Sequence, residues 1–127
     1  MKKIIVTDKA PLPFGLYSQA VIAGDFLYIS GQLPVDPKTS ELVSNDPRDQ
    51  IKQCLLNLKN ICEASGFNLN QAVKINVYYT DLAVTNALDS IMKEYFTEPY
   101  AARIRVKVAG LSRNALVEMD GVFYDKC

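Results

Sequence analysis

The stretch from Tyr100 to Val108, Tyr-Ala-Ala-Arg-Ile-Arg-Val-Lys-Val, alternates strictly between two kinds of side chain. Every second residue is basic, and these residues are Arg103, Arg105 and Lys107. The small and apolar residues between and beside them are Ala102, Ile104, Val106 and Val108. A period of two predicts a half-buried β-strand, with the apolar side against a core and the basic side outward. An arginine on such a face is either a solvated strand residue or a clamp for a carboxylate.

The length of 127 residues predicts a single domain spanning residues 1–127, large enough to form a core without metals or disulfides. No run approaches the ~20 apolar residues of a membrane span, and the first residues lack the apolar region of a signal peptide. We therefore expect a cytoplasmic protein that does not interact with a membrane. Cys54 and Cys62 are spaced about 12 Å apart on a predicted helix, and Cys127 has no local partner, so reduced thiols are expected.

The charges and the missing histidine restrict the function. Fourteen basic and fourteen acidic residues cancel, and this balance makes nucleic acid an unlikely partner, because phosphate binding needs an uncompensated basic surface. The chain has no histidine, which excludes imidazole bases, Ser-His-Asp systems and the commonest transition-metal ligand. Metal-site spacing and a phosphate loop are also missing, so we expect neither a metal nor another cofactor. Any chemistry must use carboxylates, Arg, Lys, Tyr, Ser, Cys, backbone groups and water.

The local signals predict eight elements in the order β-β-β-α-β-α-β-β. Asp46 and Pro47 predict the start of the first helix, and Gly66 predicts its end. Asp81 predicts the cap of a second helix over about residues 83–96, and Gly24-Asp25 predicts a hairpin turn. Two helices can cover only one face of a six-stranded mixed sheet. A homo-oligomer is the economical cover for the other face.

Five motifs, each weak alone, together resemble the Rid (YjgF) family of reactive-intermediate deaminases. They span essentially the whole chain and occur in the family's order. The motifs are residues 15–20 (Gly-Leu-Tyr-Ser-Gln-Ala), residues 29–34 with residues 36–39, residues 50–66, residues 77–82, and Ala102-Arg103 with residues 115–119 (Ala-Leu-Val-Glu-Met).

The resemblance implies a chorismate-mutase-like α+β fold and a homotrimer with three clefts between subunits. It also implies hydrolysis of 2-imino acids or their enamine tautomers, such as 2-iminobutanoate and 2-iminopropanoate, to 2-oxo acids and ammonia. Carried over by position, Arg103 would bind the substrate carboxylate, and Glu118 would position or activate water. The residues that would line the cleft are Tyr17, Ser30 and Gly31.

Several residues depart from the family pattern around this cleft. Leu16 and Ala101 replace prolines, and the segment before the arginine is shortened. Ile104 and Arg105 stand where small residues are common, and Asp89 stands where the family usually has asparagine. As a second cation among the substrate-binding residues, Arg105 would favour a diacid or a bulkier anionic ligand.

A purely structural interpretation of the charged residues is also open. If the strands carrying Arg103 and Glu118 pair antiparallel, the numbers of opposing residues add up to a constant. One odd value of this constant sets Arg105 opposite Glu118 and Arg103 opposite Asp120. Such cross-strand pairs contribute only ~0.2–1 kcal/mol each. In this arrangement the guanidinium groups would lower the pKa of the Glu118 carboxyl.

Two other functions remain open at this level. The same cleft could bind a small carboxylate such as a 2-keto acid without turnover, as a regulatory trimer. An RNA-acting translation inhibitor is the third possibility, and the balanced charge and missing histidine make it the weakest of the three.

Overall fold

The structure is a computed structural model that describes residues 1–126. The strands are β1 (Lys3–Ile5), β2 (Ala20–Ala23), β3 (Phe26–Gln32), β4 (Val35–Asp36), β5 (Glu41–Leu42), β6 (Ala72–Tyr79), β7 (Ala102–Lys107) and β8 (Val117–Tyr124). The helices are α1 (Pro47–Ala64) and α2 (Leu82–Met92), and two single 3₁₀ turns cover Leu69–Gln71 and Ser112–Asn114.

Six strands form one sheet in the order β1-β2-β3-β8-β6-β7. All neighbours are antiparallel except β6 and β7, which run parallel. Both helices pack on the same face, with α1 against β3 and β8 and α2 against β6. The prediction of an α+β fold with a six-stranded mixed sheet and two helices on one face is confirmed. The small β4-β5 hairpin lies in a segment that was predicted to be a loop.

Helix α1 begins and ends as its capping residues predict. The Asp46 side chain accepts hydrogen bonds from the backbone N–H groups of Arg48 (2.7 Å) and Asp49 (3.4 Å). Gly66 has φ +80°, a conformation that glycine adopts without a steric penalty. The residues that α1 buries are Gln50, Ile51, Cys54, Leu55, Asn57, Leu58, Ile61 and Cys62.

Helix α2 is shorter than the sequence pattern predicts. Asp81 caps it as expected, accepting from the backbone N–H of Ala83 at 2.9 Å. The helix ends at Met92 rather than near residue 96, because Glu94 N–H bonds to Ile91 C=O, three residues back, and tightens the chain into turns. Neither helix among residues 1–126 has the length and apolarity needed to cross a membrane.

The strand that carries the basic alternation lies at the edge of the sheet. Arg103 is paired with Ile75, and Arg105 with Val77, so both arginines share the helix side of the sheet with these buried β6 residues. The apolar residues of β7 therefore face the opposite side. Ile104 is 47% exposed there, and the prediction that this side of the strand packs on a core is wrong for the single chain.

The face of the sheet opposite the helices is uncovered and rich in apolar side chains. The strand pairing places side chains of β3 and β8 beside side chains of β6 and β7 on this face. The exposed large apolar residues on this open face include Ile4, Phe26, Tyr28, Ile104, Val106 and Tyr124. These side chains flank a polar strip that contains Asp120, Asn76 and Glu118, and exposed apolar residues on an uncovered face are typical of a protein interface.

Both described cysteines are buried and unpaired. Burial raises the pKa of Cys54 well above its usual value, and the charge of Glu118 adds to the shift. Burial and the charge of Glu63 raise the pKa of Cys62 to about 12. Both thiols are therefore core residues rather than nucleophiles. Cys127 lies outside the described residues.

Gln19 ties the proline-rich segment before β2 to the sheet. Its side chain is 1% exposed. The amide nitrogen donates to the carbonyls of Thr7 (2.9 Å), Ala10 (3.2 Å) and Pro11 (2.8 Å), and the amide oxygen accepts from the N–H of Thr7 (2.7 Å). One amide therefore satisfies four backbone contacts of a loop that has no regular structure of its own.

Replacing this amide should destabilise the protein more than replacing a comparable glutamine. We expect Gln19→Met to lower the free energy of unfolding by about 2–4 kcal/mol, because it leaves buried backbone groups without partners. The control is Gln71→Met, which removes one hydrogen bond from the exposed N–H of Asn68 and should cost below about 1 kcal/mol, because water can replace it. Urea unfolding measures both. Equal losses for the two variants would contradict the anchoring role.

Candidate functional site

A cavity of about 590 Å³ opens where the proline-rich loop, the end of β3, the second 3₁₀ turn and β8 meet. It contains one carboxylate, one guanidinium, two hydroxyl-bearing serines and one tyrosine. The residues that line it are Pro11, Phe14, Gly15, Tyr17, Ser30, Gly31, Gln32, Leu33, Ser112, Arg113 and Glu118.

Glu118 lies against the backbone of Gly31 in this cavity. The β3-β8 register shifts between Ile29 and Gln32, a bulge that brings this part of β3 close to the carboxyl group. A Cβ atom added to Gly31 would lie 2.5 Å from Glu118 Oε2 and 3.0 Å from its carboxyl carbon. Any side chain at residue 31 would thus push the Glu118 carboxyl out of its position.

The Glu118 carboxyl is held in a half-buried place that disfavours its charge. Burial raises its pKa above the usual value of 4.5, and the nearby charge of Asp120 raises it further. The sequence-based expectation of a lowered pKa is wrong. Strand β6 lies between β7 and β8, so the arginines of β7 are neither next to Glu118 nor on its face of the sheet.

Asp120 is bonded to β6 rather than to an arginine. It accepts from the amide nitrogen of Asn76 at 2.6 Å and from the hydroxyl of Tyr78 at 3.0 Å. Burial and this bond to Asp120 raise the pKa of Tyr78. The hypothesis of an antiparallel ladder joining Arg103 to Asp120 is therefore wrong.

Tyr17 and Ser30 lie beside Glu118 and also brace the loop. Tyr17 Oη accepts from the N–H of Phe14 at 3.1 Å, and its side chain is exposed at the cavity. Ser30 donates its hydroxyl to the carbonyl of Ser18 at 2.5 Å. The Ser30 oxygen can still accept a hydrogen bond from a ligand, whereas its own proton is already in use.

Arg103 lies on the other face of the sheet, against α2. Its Nη1 donates to Asp89 Oδ1 at 2.5 Å and contacts Met92 Sδ at 3.5 Å. The hydrogen bond from Arg103 lowers the pKa of Asp89 most, burial partly opposes it, and the charges of Arg103, Arg105 and Lys93 lower it further. Arg103 thus has a carboxylate partner, but on a helix rather than across the sheet.

A second cavity, of about 350 Å³, lies beside Arg103. Most of its wall is apolar, and the charged groups of Asp89, Lys93 and Arg103 also line it. The other lining residues are Ile75, Met92, Phe96, Tyr100 and Ala101.

One chain therefore assembles only part of the predicted site. Glu118, Tyr17, Ser30 and Gly31 share one cavity, while Arg103 and Arg105 lie across the sheet near Asp89. Residues 1–126 contain no group of His, Cys, Asp and Glu that could hold a metal.

Arg113 is a residue of the Glu118 cavity that the sequence interpretation did not include. It precedes Glu118 by five positions, in the Ser-Arg-Asn turn before β8. None of the motifs singled out above contains this residue. The available signal was a basic residue in a short polar turn directly before the strand that carries Glu118.

Replacing Glu118 with a neutral isostere should stabilise the fold at neutral pH. The raised pKa means that the folded protein disfavours the carboxylate relative to the unfolded chain, and this penalty is fully present above the folded-state pKa. We expect Glu118→Gln to raise Tm at pH 7. The gain should shrink as the pH falls and vanish well below 4.5, where the Glu118 carboxyl is protonated in both the folded and the unfolded protein. Thermal unfolding across pH measures this.

The control for that comparison is Glu63→Gln, which changes an exposed carboxylate of α1. It should show no comparable gain at pH 7. A gain for Glu118→Gln that is equal in acid and at neutral pH would contradict a charge-based origin.

Comparisons with known proteins agree over nearly the whole chain. Residues 7–124 match the family model described as Endoribonuclease L-PSP. A RutC family protein of Pyrococcus horikoshii is 44% identical over 124 residues, which cover 98% of each chain. A 2-iminobutanoate/2-iminopropanoate deaminase of Dermatophagoides farinae is 40% identical over 121 residues, covering 95% of this chain and 94% of that one.

Among solved structures, RidA from the Antarctic bacterium Psychrobacter sp. PAMC 21119 superposes with a TM-score of 0.93 at 45% identity. The match covers 97% of this chain and 99% of that one. The motif resemblance, the sequence matches and the shared fold lead to one conclusion. This chain belongs to the Rid (YjgF) family.

Proposed function

We propose that this protein hydrolyses reactive 2-imino acids and their enamine tautomers, with 2-iminobutanoate and 2-iminopropanoate as model substrates, to 2-oxo acids and ammonia. The observation that carries the proposal is the half-buried Glu118 carboxyl, which has a raised pKa and lies directly against Gly31 in an open cavity. The relative from D. farinae bears the name of this activity and is similar over nearly its whole length.

The chemistry needs little more than one well-placed acid–base group. The carbon of a protonated imine is already electrophilic, so water can add to it without a covalent enzyme intermediate. Glu118 would accept a proton from the attacking water and return it to the nitrogen of the carbinolamine that forms. The C–N bond then breaks and ammonia leaves, while Glu118 takes the remaining hydroxyl proton as the carbonyl forms and releases it to solvent. A raised pKa suits both steps, because the carboxylate is a stronger base than an ordinary glutamate and its acid form persists closer to neutral pH.

Tyr17, Ser30 and Gly31 would complete the wall around the reacting atoms. The Tyr17 hydroxyl can donate to substrate or water, and the Ser30 oxygen can accept from a substrate nitrogen. Gly31 would admit the ligand close to the backbone, as it already admits Glu118. These roles orient the imine and the water, and such orientation can supply a large part of a rate enhancement.

Arg103 would hold the carboxylate of the substrate. A guanidinium presents its donors in a planar fork that matches a carboxylate. Asp89 occupies Nη1 in the single chain, so a ligand either displaces Asp89 or uses the remaining donors. Arg105, two residues along the same strand face, adds positive charge at this end of the site.

The proposed site lies between copies of the chain. Glu118 and Arg103 are on opposite faces of the sheet, so one chain cannot present both to one small molecule. The open apolar face is a suitable interface for a homotrimer, in which each copy would give Glu118 to one neighbour and Arg103 to the other. A closed ring of three copies then contains three equivalent clefts.

Binding of a 2-keto acid without turnover uses the same residues and is an outcome of the assay below. An action on RNA has less support, although the matched family model is described as an endoribonuclease. The chain has no net charge and no histidine, and the Glu118 cavity combines one guanidinium with one carboxylate rather than a basic surface.

Loss of either proposed catalytic group should abolish imine hydrolysis. We expect the wild type to speed decay of 2-iminobutanoate, generated in place by an amino-acid oxidase and followed by trapping the imine as its semicarbazone. Arg103→Ala and Glu118→Gln should each lower kcat/KM by roughly 10²-fold or more, since one removes orientation and the other the acid–base group.

The matched control is Arg48→Ala, which removes an exposed arginine in the first turn of α1 and should keep wild-type activity. If the imine decays no faster with the wild-type protein than in buffer alone, the deaminase proposal fails. If calorimetry then detects binding of 2-oxobutanoate, the result would favour the alternative of binding without turnover.

A mixture of two inactive variants should recover activity if the site is shared. Arg103→Ala chains keep Glu118, and Glu118→Gln chains keep Arg103, so a cleft between one of each is intact. Refolding the two together at equal amounts should restore about a quarter of wild-type activity, the chance that a random interface pairs them correctly. Mixing without refolding is the control. No recovery in a correctly assembled mixture would contradict the shared cleft.

A further inference from the structure

We propose that Arg113 determines substrate specificity by binding a second acidic group, so that the preferred substrates are short-chain 2-imino diacids. This inference rests on the proposed imine hydrolysis and names the substrate class of the same site. It starts from the position of Arg113, which lines the cavity that also holds Glu118 and Tyr17.

The Arg113 guanidinium is held in place from two sides. Its carbon Cζ lies 4.3 Å from the centroid of the Phe14 ring, a cation–π distance. Its Nη1 donates to the carbonyl of Ser40 in the turn between β4 and β5. Because two separate segments contact this side chain, its charge is preorganised rather than free to move with solvent.

The backbone beneath Arg113 is also unusual. Arg113 and Asn114 both have positive φ, at 61° and 57°, although neither is a glycine. This left-handed conformation is uncommon outside glycine, although asparagine tolerates it, and at Arg113 it persists because the surroundings impose it. Here it directs the turn so that the guanidinium lines the cavity.

Arg113 has donors to spare and forms no ion pair with an acidic side chain of residues 1–126. A guanidinium carries five N–H donors, and one hydrogen bond, to Ser40, is found among residues 1–126. In the same described range no ion pair joins Arg113 to Glu118, although both line the cavity. A fixed cation with open donors is therefore available to a ligand in a space of about 590 Å³.

The charges along the proposed cleft match a diacid. Arg103 of a neighbouring copy would hold the carboxylate next to the imine carbon, and Glu118 would act on the water. Arg113 then lies on the Glu118 side of the cleft, where the substrate side chain would extend. A second carboxylate there can make a charge-assisted, two-point contact with the guanidinium, which an alkyl side chain cannot make.

Arg105 is less well placed for this role. It lies two residues from Arg103 on the same strand face, and its charge acts on Asp89. Asp89 of the same chain thus already balances part of the positive charge of Arg103 and Arg105. Among the described residues that line the Glu118 cavity, Arg113 is the sole cation.

The experiment compares two substrates in the wild-type oligomer and in four variants, of which Arg105→Gln tests the competing cation. Imines of 2-aminobutanoate and of aspartate are generated in place by amino-acid oxidases, and kcat/KM is measured for each. We expect the diacid-to-monoacid ratio to fall by about tenfold or more in Arg113→Gln, because a charge-assisted contact is lost for one substrate only. Arg113→Lys keeps the charge without the planar fork and should restore part of the ratio. Arg48→Gln, an exposed and distant arginine, should leave the ratio unchanged.

Binding of stable 2-oxo acids gives a readout independent of turnover. Calorimetry with 2-oxoglutarate and 2-oxobutanoate should show the same loss of diacid preference in Arg113→Gln. Equal losses of affinity for both ligands would mean that Arg113 has a structural role or binds the carboxylate that both ligands share. That result would overturn the proposal. A ratio that falls in Arg105→Gln and not in Arg113→Gln would also overturn it. Failure of the wild type to hydrolyse either imine would instead reject the proposed function.

Discussion

The approach of Glu118 to Gly31 is the constraint on which the rest of the site depends. A side chain at residue 31 would place a carbon 2.5 Å from the Glu118 carboxyl oxygen, so the carboxyl keeps its position only beside glycine. The irregular register between β3 and β8 brings the two together. The same position removes much of the solvent from the carboxyl and raises its pKa, and this makes it a useful base.

The charged residues are divided between the two faces of the sheet, so a single chain carries only part of the proposed site on each face. Glu118 and Asp120 share the open face with Tyr78 and Asn76, whereas Arg103 faces α2 and bonds Asp89. A small substrate cannot reach through a packed sheet. The apolar side chains exposed beside Glu118 offer an interface through which a second copy could supply the missing guanidinium.

Local signals in the sequence predicted most of the elements. The caps Asp46 and Asp81 act as expected, and the turn at Gly24 joins β2 to β3, because capping and turn formation depend on neighbouring residues only. The alternation in β7 correctly predicted a strand, but all six of its residues, Ala102–Lys107, are exposed in the single chain, so the predicted burial of its apolar side is not found. Periodicity reports that two sides differ, and whether an apolar side meets a core or another chain depends on the neighbouring strands.

The sequence by itself determined the family, the order of the two helices and of the six strands of the main sheet, and the short set of residue types on which any chemistry must depend. Its motifs also selected Tyr17, Ser30, Gly31 and Glu118, and these residues do share one cavity. Only the tertiary structure decided that β6 separates β7 from β8, that Glu118 has a raised pKa, and that Arg113 joins its cavity. The physical reason is that strand order, burial and electrostatic surroundings arise from contacts between residues far apart in the chain, which no local pattern contains.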